Sequence, residues 1–234
     1  MDIKKSSDRN KLKVLITGAS GHLGYNICKQ LWDENFFYIK AGLRSKNDRV
    51  AKVCHEMSYF DVRHYDDFYK SAKDVDYIIH LAASFDHSDK NKISTIETSK
   101  IGSENLIKIA KKVKFKKIIY TSSVAVCGVN KSAKLMDESS NNIKDADLSD
   151  PYIAAKVISH NLICDAMDKH NLPILILMPS AIIGTRDYKK TPSNLLISKL
   201  MSYPLNKFYI NAGLNVINVK DVANAHCAGL LNSA

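Results

Sequence analysis

The stretch "KVLITGASGHLG" at 13–24 leaves few folds open to this chain. A short β-branched run enters a turn with Gly18, Gly21 and Gly24 at three-residue intervals, and a helical pattern follows at once. Glycine at a strand-to-helix turn lets backbone N–H groups and the positive end of the helix approach a pyrophosphate, which a Cβ would obstruct. A glycine triplet gains meaning from its surroundings, and here it opens an alternating chain. Strand candidates fall at 13–17, 38–43, a weak run at 57–60, then 76–83, 116–123 and 173–178, with helical candidates at 22–35, 64–73, 91–113 and 151–169. That alternation is the signature of βαβ units, so the expected class is α/β, a Rossmann-type doubly wound parallel sheet. Near-continuous apolar strands such as "PILILM" suit a sheet covered on both faces.

After Met178 the rhythm breaks. "PSAIIGTRDYKKTPSNLL" reads as loop feeding a helix near 193–202, and "LNVINVKDVANAHCAGLL" as one more short strand and helix. The expected organisation is a flexible lead-in at 1–11, a dinucleotide-binding domain at 12–178, a partial substrate lobe at 179–214, and a strand and helix at 215–234 returning to the first domain.

Composition removes several function classes. The formal net charge is +10, but the lysines are dispersed and "KKVKFKK" at 111–117, with a single aromatic, is the one dense run, so nucleic-acid binding is not expected. The longest apolar stretch, "LPILILMPSAIIG", holds two prolines and is too short for a bilayer. With no export signal in view, the expected compartment is the cytoplasm. Cys28, Cys54, Cys127, Cys164 and Cys227 are scattered through apolar segments, as buried hydrophobes in a reducing compartment are. No His, Cys, Asp or Glu cluster has metal-ligand spacing, so no metal site is expected.

A pyrophosphate cradle formed by Gly18, Ser20, Gly21, His22, Leu23 and Gly24 implies a nicotinamide dinucleotide. The end of the second strand chooses between forms, since an acidic residue there holds a ribose 2′-hydroxyl and an arginine accommodates a 2′-phosphate. Arg44 stands twenty residues beyond Gly24, with Lys46 close behind, which favours NADP; Asp48 keeps NAD open as the alternative. "HLAAS" at 80–84 ends the fourth strand, with Leu81 among the expected cofactor-binding residues, and the small Ala82 and Ala83 let a cofactor pass close to the backbone.

The proton chemistry points to "DPYIAAKVISH". Tyrosine, with a pKa of about 10, serves acid–base catalysis near neutral pH when a cation stabilises its phenolate. Tyr152 and Lys156 stand at i and i+4 on one helix face, behind a cap of Asp150 and Pro151. Thr121, Ser122 and Ser123 end the fifth strand at the carboxyl edge of the sheet, where a hydroxyl can bond both a substrate carbonyl and the tyrosine.

"TGASGHLG" resembles the T-G-x-x-G-x-x-G pattern of the extended short-chain dehydrogenase/reductases, and "SSVAVCG" resembles their S-S-x-x-V-x-G pattern. "IYTSSVAVCG", "PSAIIGTRDYKKTPS" and "NAGLNVINVKDVANAH" are similar to the dihydroflavonol-reductase-like branch, especially to the hopanoid-associated sugar epimerases, with the similarity covering 12–231. The resemblance implies Ser123, Tyr152 and Lys156 as catalytic residues. It further implies Asp61 and Val62 beside the adenine, Lys156 at the nicotinamide ribose, and Pro179 with Ser180 at the nicotinamide end. The implied reaction is NADP-dependent hydride transfer to or from a carbonyl or alcohol carbon of a small organic substrate, with Tyr152 transferring the proton. The alternatives are a nucleotide-sugar epimerase/dehydratase with retained NAD, and a non-catalytic NAD(P)-binding regulator. Family custom also implies a homodimer through the helices at 91–113 and 151–169. Two departures stand out: Ser99 occupies a position where many relatives have asparagine, and relatives continue beyond the "VKDVANAH" helix.

Overall fold

A computed structural model describes residues 10–82, 92–128, 137–138, 147–202 and 213–231. The chain alternates β1 (Leu12–Thr17), α1 (His22–Glu34), β2 (Phe37–Leu43), β3 (Glu56–Tyr59), α2 (Tyr65–Ala72), β4 (Tyr77–His80), α3 (Lys92–Ala110), β5 (Lys117–Thr121), α4 (Pro151–His170) and β6 (Ile174–Leu177). These six strands form one sheet in the order β3-β2-β1-β4-β5-β6. Every pairing in it is parallel. The order reverses direction between β1 and β4, and sheets of this kind bind ligands outside the carboxyl ends of the strands at such a switch point.

The strand pleat sorts the core into two layers. Val14, Ile16, Ile39, Ile79 and Ile119 face α1 and α6 (Val219–Leu231), meeting Ile27, Leu31, Val222 and Leu230. Leu15, Ile78, Ile118 and Tyr120 point the other way, onto Phe68 of α2, Leu106 and Ile109 of α3 and Ile163 of α4. Leu15 and Ile16 are adjacent and both fully buried, one in each layer. Each such side chain contributes roughly 1.5–3 kcal/mol through the apolar surface it removes from water. Cys28, Cys54 and Cys227 lie in the first layer as packing groups, their thiol pKa values pushed up by burial, to about 11 for Cys54 and about 12 for Cys227.

Three expectations are corrected. The strand expected over 76–83 ends at His80, because the N–H groups of Leu81 and Ala82 leave the ladder to bond the Thr17 hydroxyl. The strand expected over 116–123 ends at Thr121, and a 3-10 turn follows at Val124–Cys127 with Ser123 as its cap. The stretch after Met178, read as loop, contains β7 (Ala181–Ile183), which pairs in parallel with β8 (Val216–Asn218). The β-branched "AII" finds a partner only when the distant "VIN" returns beside it. The helix α5 (Pro192–Ser202) buries no residue. Among the described residues no helix is long and apolar enough to cross a membrane, and no group of three or more His, Cys, Asp or Glu is placed to hold a metal ion.

Candidate active site

The glycine turn is built to bring backbone against backbone. Gly18 has φ +71°, and a Cβ there would lie 3.2 Å from the Ala82 backbone. Gly21 caps α1 with no side-chain hydrogen bond, and its own N–H donates to the Gly18 carbonyl at 2.9 Å. A Cβ on Gly24 would fall 2.3 Å from the Gly18 carbonyl oxygen and 2.9 Å from the Ala19 Cα, so this glycine allows the helix to close onto the turn. Ser20 is half-buried in the same turn. Leu23 turns into the apolar core, and the His22 ring lies 3.1 Å from the Thr185 carbonyl oxygen, so at these two positions the backbone is what the cradle offers. A turn that side chains would fill and a helix start without a side-chain cap fit a pyrophosphate.

At the end of β2, Arg44 is exposed, and Lys46 pairs with Asp48 at 3.4 Å. Past β3, Asp61 is engaged by one arginine: Arg63 donates from Nε to Oδ1 at 3.0 Å, from NH2 to Oδ2 at 2.8 Å, and from its backbone N–H to Oδ1 at 2.9 Å. The hydrogen bonds from Arg63, and the charges of Arg63 and Arg44, hold the Asp61 carboxyl below the usual carboxylate range against its own burial. Val62 is buried where Gly102 lets α3 approach, since a Cβ on that glycine would lie 2.9 Å from Val62 Cγ2. Leu81 and Ala82 leave β4 half-buried beside Gly18, while Ala83 lies outside the described residues.

The three residues expected to be catalytic, Ser123, Tyr152 and Lys156, come together at the tip of β5. Asp150 caps α4, its Oδ1 accepting from the N–H groups of Tyr152 and Ile153 at 2.8 and 3.0 Å, and Pro151 begins the helix. Such a cap contributes about 1 kcal/mol and fixes where the first turn starts. Burial raises the Tyr152 phenol pKa, and the neighbouring Ser123 hydroxyl only partly offsets it. Lys156 is buried, its Nζ 6.0 Å from the centroid of the Tyr152 ring and donating to the Thr121 carbonyl at 3.0 Å. Burial pushes its pKa down to about 8, leaving it mostly cationic at neutral pH. The Lys156 ammonium is turned to the Thr121 carbonyl, and burial outweighs the other influences on the Tyr152 phenol. Burial thus favours the protonated form of the Tyr152 phenol. Pro179 borders the same tip, its carbonyl accepting from the Val124 N–H at 3.2 Å, with half-buried Ser180 next in the chain. Ser99 is buried, and its hydroxyl has no hydrogen-bond partner among the described residues.

Several supporting residues escaped the sequence reading. The Thr121 hydroxyl lies 2.8 Å from His226 Nε2 of α6, and the Ser122 hydroxyl 3.0 Å from His160 Nδ1 of α4, so the strand tip is held from both faces of the sheet. His160 follows Lys156 by four residues, a spacing that places it on the same helix face. Nothing in the sequence pairs His226 with a residue 105 positions earlier.

Comparison with known proteins agrees with this geometry. The chain is 27% identical over 213 residues to a Synechocystis sp. protein named after dihydroflavonol 4-reductase, covering 90% of this chain and 61% of that one. It is 26% identical over 214 residues to a dTDP-D-glucose 4,6-dehydratase of Dictyostelium discoideum, covering 83% and 48%. The chain thus spans about half to three-fifths of the length of these relatives. The crystal structure of gox2253 superposes with a TM-score of 0.82 at 27% identity, over 95% of this chain and 67% of that one. A yeast methylglyoxal/isovaleraldehyde reductase, Gre2, complexed with NADPH shares the fold at a TM-score of 0.76 and 20% identity, over 94% of this chain and 75% of that one. The family model described as "NAD dependent epimerase/dehydratase family" matches residues 14–233, and the chain belongs to that family.

Proposed function

We propose that the chain is the cofactor-binding and catalytic part of an NADP-dependent oxidoreductase acting on a carbonyl or alcohol group of a small organic substrate. One observation carries the reading: Tyr152, beside Ser123 and one helical turn from the buried ammonium of Lys156, stands at the carboxyl edge of a sheet whose first turn is a glycine cradle. A nicotinamide held along the glycine turn and the strand tips would supply or accept the hydride. Tyr152 gives its proton to the substrate oxygen as that oxygen gains charge, and Ser123 orients the phenol and stabilises the same oxygen. The Lys156 cation offsets the phenolate left behind, a compensation strengthened by its burial. In the oxidative direction the same groups run in reverse.

The NADP preference rests on Arg44, exposed at the end of β2, and on Asp48 being paired with Lys46. Comparing the dissociation constants of NADPH and NADH by fluorescence titration tests it, and tighter NADH binding would refute it. The epimerase/dehydratase alternative uses the same three residues and draws support from the family description and the dehydratase relative. A chain that purifies with tightly held NAD and does not exchange it supports that alternative over the reductase.

A further inference from the structure

His80, the last residue of β4, is fully enclosed and is assigned no role in the chemistry above. Its ring lies between two aromatic side chains, Phe68 at 5.9 Å and 20° and Tyr120 at 5.7 Å and 11° between planes. These stacks fix the imidazole plane, and in that plane Nδ1 stands 3.2 Å from the Thr17 hydroxyl oxygen. The same oxygen accepts the N–H groups of Leu81 and Ala82, both at 3.1 Å.

A hydroxyl oxygen has two lone pairs and one proton. The two amides occupy the lone pairs, so the Thr17 proton must go to His80 Nδ1, which is therefore the unprotonated ring nitrogen. The ring is neutral, as a fully buried imidazole with its pKa pushed down to about 3 by burial must be. With its proton committed to His80, Thr17 can hold the two N–H groups that turn the chain out of β4. That turn sets Ala82 beside Gly18, where a Cβ on the glycine would come within 3.2 Å of the Ala82 backbone.

We infer that His80 is a positioning residue for the dinucleotide groove: by taking the Thr17 proton it fixes the exit of β4 against the glycine turn. This rests on the cofactor reading above. His80 is enclosed by Phe68, Tyr120 and Thr17, so its effect on binding runs through Thr17 and the 81–82 backbone.

Four proteins test it: His80→Phe, which keeps the aromatic stack and removes the acceptor; Thr17→Val, which keeps the shape and removes the hydroxyl; the double variant; and Thr17→Ser, which restores the hydroxyl. Circular dichroism and thermal melting establish folding, and fluorescence titration gives the NADPH dissociation constant. The constant is expected to rise about tenfold in His80→Phe and in Thr17→Val, to return near wild type in Thr17→Ser, and to be no worse in the double variant than in Thr17→Val. Amide exchange at Leu81 and Ala82 is expected to accelerate in His80→Phe, and nitrogen NMR of the wild type to show an unprotonated Nδ1. If His80→Phe does not fold, Thr17→Val and the wild-type NMR measurement decide. Folded variants that bind NADPH as wild type does, single effects that multiply in the double variant, or a protonated Nδ1 overturn the inference alone. A wild-type chain that binds neither NADPH nor NADH overturns the cofactor reading and this inference with it.

Discussion

Lys156 donates from Nζ to the main-chain carbonyl of Thr121 at 3.0 Å, across the boundary between α4 and the tip of β5. The helix carrying Tyr152 and the strand leading to Ser123 are thereby joined through the Lys156 side chain. The carbonyl partially replaces the water lost on burying the ammonium, so the lysine keeps a charge near neutral pH although burial works against it.

Replacing Tyr152 with Phe is expected to leave folding and NADPH affinity unchanged while turnover falls about 10²–10⁴-fold, the usual contribution of a positioned proton donor. The assay is a carbonyl-substrate screen followed by NADPH absorbance. Unchanged turnover would remove the phenol from the mechanism.

For Lys156, stability and activity are expected to move in opposite directions with pH. Its folded pKa of about 8 lies below the unfolded value of about 10.4, so the burial penalty is complete below pH 8 and is relieved as pH rises from about 8 to 10.4. Over that window the group adds up to roughly 3 kcal/mol of stability, while loss of the cation slows proton transfer above pH 8. Urea midpoints and initial rates from pH 7 to 10, each compared with Lys156→Met, measure the two trends.

A Gly24→Ala substitution places a methyl group 2.3 Å from the Gly18 carbonyl oxygen, so turn and helix must separate. Overpacking of this kind costs about 1–3 kcal/mol. The expected result is a lower urea midpoint together with loss of NADPH binding, read by denaturation and fluorescence titration.

Arg44→Glu is expected to weaken NADPH binding about tenfold or more while changing NADH affinity little, because a cation at the end of β2 favours a 2′-phosphate and a carboxylate repels it. Parallel titrations with the two cofactors provide the comparison, and equal changes for both would detach Arg44 from cofactor choice.

His226 gives the fold an acid sensitivity. Its folded pKa is about 4, lowered by burial despite the bond to the Val222 carbonyl, against about 6.5 in the unfolded chain. The unfolded state binds more protons between these values, so its contribution is complete above pH 6.5 and falls by up to roughly 3 kcal/mol as pH drops through 6.5 toward 4. His226→Leu cannot titrate, and its stability should decline less steeply across that interval in pH-dependent urea unfolding.

The sequence by itself determined the fold class, because a period of two in Leu15 and Ile16 and a period of about 3.6 in the helices are local properties that the βα alternation turns into a parallel sheet. It also determined the glycine turn and the Tyr152–Lys156 pair, since three-residue and four-residue spacings are read along the chain. Only the tertiary structure decided which way the Lys156 ammonium turns, that Arg63 occupies both oxygens of Asp61, and that β7 exists at all. Thr17 meets residues 63 to 65 positions later, and Thr121 meets His226 across 105. Hydrogen bonds and desolvation depend on distance in space rather than on separation along the chain, so the groups that set protonation states and hold the backbone become visible only once the sheet has brought its strand ends together.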